Sequence, residues 1–228
     1  MTEDILFDEL FARLPTNPEE IVVAPGDDCA AIKWHNDKLM LLAIDQIAGN
    51  RHYISSGKNA TSAKLAGRKL LARNLSDIAA MGGKALFCLL GTAFKKGKEK
   101  CWINDFYDGI ISLAKEHSVF MIGGGYISTE NDDVAGLTII GEVPANEIIL
   151  RSGAKPGDLL CVTGACGKSF ETEHHLNFQP RCQEGRWLAK NNFAAAMIDI
   201  SDGLLLDASR ICKHSNCGLK IFTEKIPL

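Results

Sequence analysis

The stretch that decides the fold is RKLLARNLSDIAAMGG, which runs from Arg68 to Gly83. Apolar side chains recur in it at steps of three and four residues, which is the spacing of one buried face of a helix. Asp77 lies within that apolar pattern, where an ionised carboxylate is unfavourable unless it is hydrogen-bonded, paired or bound to a cation. The stretch therefore predicts a packed helix whose Asp77 either is satisfied locally, by Ser76 or a loop amide, or serves a functional site.

The segments on either side of this helix alternate between apolar runs and amphipathic stretches. This alternation is typical of an α/β or α+β fold in which helices cover one face of a sheet. Further helices are predicted over residues 2–14 (with Thr2 as the N-cap), 104–117 and 182–191, and after an N-cap at Ser201 or Asp202. Strands are predicted over residues 38–45, 85–94, 119–122 (before a glycine turn at 123–125), 132–144, 159–164, 196–199 and from 218 onward.

A polar, turn-rich stretch, RSGAKPGD at residues 151–158, predicts a domain boundary. It divides the chain into an N-terminal domain over residues 1–150 and a partial α/β C-terminal domain over residues 151–228.

Composition and charge exclude several classes of protein. The 228 residues carry a net charge of -3, so the chain lacks the excess of positive charge that is typical of nucleic-acid-binding proteins. No apolar run approaches the roughly 20 residues of a membrane span, and the acidic N-terminus lacks the features of a signal peptide. The eight cysteines form no CxxC pair, which favours reduced thiols and a cytoplasmic location. A zinc site at His174, His175 and Cys182 is disfavoured by its spacing.

Acidic residues recur at the ends of apolar elements, where a cleft would form. They are Asp27 and Asp28 after a glycine, Asp45 after an apolar run, Asp77, and Asp199 and Asp202 around a strand-to-helix turn. If these carboxylates converge, each pair repels by roughly 4 kcal/mol at about 4 Å with an effective dielectric near 20. A divalent cation removes that repulsion, and oxygen-only ligands favour Mg²⁺, which commonly accompanies phosphates.

Anion-binding groups are also present, although each has an ordinary alternative. The backbone N–H groups of Gly123–Gly125 could approach a phosphate, but a plain turn explains the glycines equally well. Arg151 and Lys69 could pair with phosphate oxygens, but isolated basic side chains are usually solvated surface charges.

Several motifs occur together and in a fixed order: GDDCAAI from Gly26, NLSDIAAMGG from Asn74, RSGAKPGD from Arg151 and DISDGLLLDASRI from Asp199. In this combination the chain resembles the thiamine-monophosphate kinase family, within the aminoimidazole ribonucleotide synthetase-like superfamily. The resemblance implies an N-terminal domain with a mixed sheet covered by helices and a truncated α/β C-terminal domain. It also implies a homodimer whose N-terminal sheets pair into a barrel, with ATP in the cleft between domains.

The activity implied by the resemblance is transfer of the γ-phosphoryl group of ATP to thiamine monophosphate, with several Mg²⁺ ions. Because the acceptor is already an ionised phosphate, this reaction needs positioning and charge neutralisation rather than a catalytic base. By motif, the metal positions are Asp28, Asp45, Asp77, Asp199 and Asp202. The ATP positions are Gly124, Arg151 and Ser201, with Lys69 as a further phosphate partner, and the thiamine-substrate position is His52. The residues expected to act in catalysis are Asp45, Asp77, Arg151 and Asp202.

The sequence also departs from the family pattern. Gly125 stands where the family has a metal-ligating Asp, and Ala43 and Ile44 replace residues with hydroxyl groups. Family members continue beyond the position of residue 228 into a segment that helps to hold the thiamine moiety. Two alternatives therefore stay open: a superfamily enzyme that acts on a different acceptor, and a catalytically degenerate homologue that binds nucleotide or a partner.

Overall fold

A mixed sheet forms the centre of the molecule in the computed structural model, which describes residues 3–15 and 18–228. Within these residues six strands form one sheet in the order β1-β2-β3-β6-β4-β5. The strands are β1 (Ile21–Val23), β2 (Ala30–Lys33), β3 (Lys38–Ala48), β4 (Lys84–Lys95), β5 (Phe120–Thr129) and β6 (Val134–Pro144). All neighbouring strands are antiparallel except β4 and β5, which are parallel. The expected mixed sheet is confirmed.

Two of the described helices, over residues 63–80 and 100–116, cover one face of this sheet. The described helices are α1 (Glu3–Phe11), α2 (Ala63–Ala80), α3 (Lys100–Glu116), α4 (His174–Asn177), α5 (Cys182–Lys190) and α6 (Leu204–Ser215). The apolar stripe of α2 packs against the sheet and is almost completely inaccessible to water; it comprises Leu70, Leu71, Leu75 and Ile78. This stripe confirms a packed helix within the Arg68–Gly83 stretch, although α2 begins five residues earlier, after the N-cap Ser62, and ends at Ala80, before the two glycines.

Two glycines allow α2 and α3 to cross closely. A Cβ on Gly67 would collide with the carbonyl oxygen of Phe106, and a Cβ on Gly109 would collide with that of Lys64. The backbones therefore touch at this crossing, which fixes the position of α2 and of the Asp77 that it carries.

Two of the predicted strands have the wrong C-terminal boundary. β3 does not stop at Asp45 but continues to Ala48, because β6 pairs with it along its whole length and places Leu137 opposite Asp45. The three glycines at 123–125 form no turn, since they pair with β4 inside β5. A Cβ on Gly124 would collide with the Leu90 carbonyl of β4, so the small residue there serves strand pairing.

The starts of two further helices differ from the predicted ones. Helix α3 begins at Lys100, four residues before the predicted start. Helix α6 begins after Gly203, whose φ of 118° suits glycine, so neither Ser201 nor Asp202 is the N-cap. The predicted N-cap Thr2 lies outside the described residues.

The C-terminal segment contains helices but no strand within residues 151–228, all of which the structure describes. The predicted strands at 159–164, 196–199 and 218 onward are therefore wrong for this chain. A strand needs a hydrogen-bonded neighbour, and none of these segments pairs with another among the described residues; Leu159, for example, is 87% exposed. The division of the chain at residue 150 stays a prediction.

A membrane-crossing helix is absent from the part of the chain that the structure describes, because none of its helices has both the length and the apolar character required.

Candidate functional site

Three carboxylates from distant parts of the chain converge. Asp28 follows the turn at Gly26, Asp77 lies in the C-terminal half of α2, and Asp199 lies in the loop before α6. One oxygen atom from each lies within 4.8 Å of the other two. These residues, here called the acidic triad, were all predicted as metal ligands from sequence.

The acidic triad is electrostatically unfavourable by itself. Burial, followed by repulsion from Asp199, raises the pKa of Asp28 to about 7, although Arg151 opposes the shift. Burial and the neighbouring carboxylates also raise the pKa of Asp77. Burial raises the pKa of Asp199, and a hydrogen bond with the Ser76 side chain counteracts this. Proton binding or a bound cation would relieve the repulsion.

The donor atoms of the acidic triad suit a divalent cation. The Oδ2 atom of Asp28 is buried and has no hydrogen-bond partner among the described residues. Three carboxylates without sulfur or imidazole ligands form a set that Mg²⁺ prefers. The possible zinc cluster of His174, His175 and Cys182 does not form among the described residues, where the Cys182 thiol instead approaches the Leu75 carbonyl oxygen.

Arg151 connects the predicted domain boundary to the acidic triad. Its Nη2 donates to Oδ1 of Asp28 at 2.7 Å, and its Nη1 donates to the carbonyl oxygen of Gly26 at 3.1 Å. Its backbone N–H donates to Oδ2 of Asp27 at 3.0 Å. The predicted phosphate-binding residue is thus also a structural link that balances part of the triad's charge.

Asp45 lies near the acidic triad but is not part of it. Arg73 of α2 donates to both of its carboxylate oxygens, from Nε at 2.7 Å and from Nη2 at 2.8 Å. The charge of Asp45 still contributes to the raised pKa of Asp77. Arg73 was not predicted as a site residue from the sequence, although it stands four residues before Asp77 on the same helix.

The loop before α6 is held by Asp207, which sequence analysis also missed. Its Oδ2 accepts backbone N–H bonds from Ser201, Asp202 and Gly203 at 3.0, 3.1 and 3.1 Å. The Asp202 side chain is half exposed and forms an ion pair with Arg210 at 2.8 Å. An acidic residue in the first turn of α6, directly after the DISDG motif, was the available sequence signal for Asp207.

Lys69, His52 and His175 lie together beside α2. The Nζ atom of Lys69 donates to the His52 carbonyl oxygen at 2.7 Å and lies 2.9 Å from Nδ1 of His175. The His52 Nδ1 accepts the backbone N–H of Ala48 at 3.0 Å. Burial and then the nearby Arg73 lower the pKa of Lys69 to about 8. The imidazole of His175, which sequence analysis considered only for zinc, therefore adds a polar group to this cluster.

A large cleft separates α2 from the C-terminal segment. Its volume is about 1000 Å³, and Lys69, Arg73, Ser76, His175, Asp199 and Ser201 line it. The cleft thus places one residue of the acidic triad next to basic side chains and can receive a polyanionic ligand.

Gly124 does not line this cleft. It lies at a shallow depression of about 330 Å³ that Gly124 shares with Ile44, Leu89, Gly125 and neighbouring residues. Ile44 and Leu89 point away from the face of the sheet that α2 covers, because alternate side chains of a strand point to opposite faces. The predicted nucleotide role of Gly124 stays a prediction.

Comparison with known families identifies the N-terminal part of the chain. Residues 26–143 match the family described as AIR synthase related protein, N-terminal domain.

Curated relatives extend this similarity over most of the chain. The chain is 33% identical over 224 residues to the thiamine-monophosphate kinase of Buchnera aphidicola subsp. Schizaphis graminum, an alignment that covers 89% of this chain and 66% of the relative. It is 30% identical over 237 residues to the thiamine-monophosphate kinase of Salmonella typhimurium, with 95% of this chain and 70% of the relative covered. The chain therefore spans about two thirds of the length of these relatives.

A solved structure agrees with the sequence comparisons. The structure described as AaThiL complexed with AMPPCP and TMP superimposes with a TM-score of 0.85 and 25% identity over 99% of this chain and 74% of that chain. The similarity extends through the residues that form the acidic triad and line the cleft.

Proposed function

Because the chain belongs to the thiamine-monophosphate kinase family, we propose that it transfers the γ-phosphoryl group of ATP to thiamine monophosphate and forms thiamine diphosphate. The observation that carries this proposal is the convergence of Asp28, Asp77 and Asp199 beside a cleft of about 1000 Å³. Asp199 lines this cleft, so phosphate-bearing substrates bound there would lie next to the acidic triad.

Asp28, Asp77 and Asp199 would hold Mg²⁺ in this proposal. The ion would neutralise the phosphate charge that otherwise keeps two polyanions apart. The relatives' names and the ligands of the AaThiL complex support ATP and thiamine monophosphate as the substrates.

The chain's own cations would complete the charge balance. Lys69 and Arg73 are one helical turn apart and both line the cleft, so their positive charges would lie beside the space where phosphates would bind. Lys69 is also bonded to the His52 carbonyl, and this bond would orient the ammonium group next to the proposed thiamine-substrate residue. Ser201, held by Asp207, would present its loop to the nucleotide.

A homodimer is proposed from the open face of the sheet. Ile44 is 65% exposed and Ile127 is 64% exposed, and Phe87 and Leu89 are exposed beside them. An apolar surface of this kind is typical of an interface, and a second copy of the same sheet would cover it. A cytoplasmic location is proposed because none of the eight cysteines, which all lie in the described residues, forms a disulfide.

The experiment that tests the function is formation of thiamine diphosphate from thiamine monophosphate, ATP and Mg²⁺, with a chelator control. We expect product only when metal is present. Mg²⁺-dependent ATP binding without this product would favour the alternative of a different acceptor. Failure to bind ATP and to form product would favour a degenerate homologue that binds a partner instead of nucleotide.

A further inference from the structure

Arg73 already supplies a positive charge at one of the expected metal positions. Its Nε and Nη2 atoms contact one oxygen each of Asp45, at 2.7 and 2.8 Å. This two-bond arrangement is the strong geometry for a guanidinium and a carboxylate. Both carboxylate oxygens of Asp45 therefore have a partner before any ligand is present.

Arg73 also interacts electrostatically with the acidic triad. Arg73 and Asp77 are separated by four residues of α2, so their side chains share one face of the helix. Asp77 and Asp199 both interact favourably with the guanidinium charge. An arginine keeps this charge throughout the physiological pH range, as a bound metal ion would.

The oxygen atoms near the acidic triad thus divide into two sets. The first contains Asp28, Asp77 and Asp199, each with one oxygen within 4.8 Å of the others, and Oδ2 of Asp28 lacks a partner among the described residues. The second is Asp45, whose side chain is 22% exposed and whose oxygens are both bound by Arg73.

We propose that the Arg73 guanidinium is the resident cation at Asp45, so that Asp45 binds no divalent ion and the acidic triad alone holds metal. This inference rests on the proposed function, because it assumes that the triad binds Mg²⁺. It goes beyond that function by assigning Arg73 as a positioning residue that fixes the number of metal ions in the site.

Counting bound Mn²⁺ tests this assignment without using activity. Free Mn²⁺ is measured by its electron paramagnetic resonance signal during titrations at a fixed, saturating concentration of AMPPCP. Asp45→Asn should bind as many ions per chain as the unaltered protein, whereas Asp77→Asn should bind at least one fewer. A lost ion in Asp45→Asn would overturn the assignment of Arg73.

Removing the guanidinium gives the complementary test. Arg73→Met should expose Asp45 beside Asp77 and Asp199 and gain one Mn²⁺ per chain, since a hard divalent ion can complete its coordination with water. The double variant Arg73→Met/Asp45→Asn should lose that gain. Arg68→Met is the matched control, because Arg68 of the same helix donates to the Leu176 carbonyl instead of a carboxylate.

The outcomes separate this inference from the proposed function. If Arg73→Met gains no ion while the unaltered protein binds Mn²⁺ through Asp77, the Arg73 assignment alone is overturned. If the unaltered protein binds no Mn²⁺, both the Arg73 assignment and the proposed function are overturned. If Arg73→Met fails to fold, the Asp45→Asn titration still decides the question, because it leaves the arginine in place.

Discussion

Arg151 and the buried Asp28 carboxylate form an ion pair, with 2.7 Å between Nη2 and Oδ1, although 123 positions separate them in the sequence. The pair connects the start of the C-terminal segment with the turn before β2. Among the ion pairs of the described residues, it is the only one that places a cation in direct contact with the acidic triad. Its loss should therefore affect both stability and the site.

Arg151→Met should lower the free energy of unfolding by about 3 kcal/mol at pH 8, because it leaves a buried carboxylate without its partner. The loss should be smaller at pH 5, where Asp28 is protonated, since its pKa is raised to about 7. Urea unfolding at both pH values measures the difference. Arg181→Met is the control, because its ion pair with Glu184 is 3.4 Å long and both side chains are 45% exposed. Equal losses in the two variants would contradict the role given to Arg151.

The metal-free protein should become less stable as the pH rises from about 4 to 7. Asp28 has a folded-state pKa of about 7 against an ordinary value of 3.8. In this window the folded protein keeps a proton that the unfolded chain releases, so a rise in pH favours unfolding. The free energy of unfolding should fall by up to about 4 kcal/mol. The lowered pKa values of His52 and His175 act in the opposite direction.

Comparison with Asp28→Asn isolates the carboxylate's part of this pH dependence. Thermal or urea unfolding in the presence of a chelator should show that the stability of the variant declines less from pH 4 to 7 than that of the unaltered protein. Added Mg²⁺ should also reduce the decline of the unaltered protein, because the ion replaces the proton. Identical pH profiles for the two proteins would show that Asp28 does not carry a raised pKa.

Asp77→Asn should abolish kinase activity, with at least about a 100-fold loss if the carboxylate holds the metal. Without metal the variant should be as stable as the unaltered protein or more stable, because one member of a repelling group has lost its charge. Product formation and thermal unfolding with and without Mg²⁺ measure both effects. Asp108→Asn, on the exposed side of α3, is the matched control and should change neither. Full activity in Asp77→Asn would exclude its metal role.

Gly109→Ala should be strongly destabilising, by about 3 kcal/mol or more, because the new methyl group would overlap the Lys64 carbonyl at the crossing of α2 and α3. Urea unfolding measures the change. Gly218→Ala is the control, since a Cβ at that position meets no atom within 4 Å. A small effect at Gly109 would mean that the two helices can separate without loss of packing.

Local sequence patterns were sufficient for the features that depend on one element. The apolar spacing around Asp77 predicted α2, and the family motifs placed Asp28, Asp77 and Asp199 in one site, which agrees with their separation in the structure. The end of β3 was not predictable in this way, because it depends on the pairing of β6 up to Val134. The same reason explains why the strand predictions in the C-terminal segment are wrong, since the apolar runs there have no partner strand within residues 151–228.

Side-chain partners at the site were the hardest features to predict. The Arg73–Asp45 pair joins residues 28 positions apart on a helix and a strand, and no spacing rule relates them. Asp207 is closer to the motif that it supports, but its role depends on three backbone N–H groups that all point to one oxygen. Such contacts depend on backbone geometry that residue types alone do not specify.

Ile44→Asp should dissociate the proposed homodimer. Ile44 is 65% exposed on the open face of the sheet, where a second copy would bury it, and a buried unpaired carboxylate is unfavourable. Light scattering should give the mass of a dimer for the unaltered protein and of a monomer for the variant, with little change in the unfolding of each chain. Ile111→Asp is the matched control, because it places the same change on an exposed position of α3 and should leave the dimer intact. A monomeric unaltered protein, or a dimer that survives Ile44→Asp, would contradict pairing through this face.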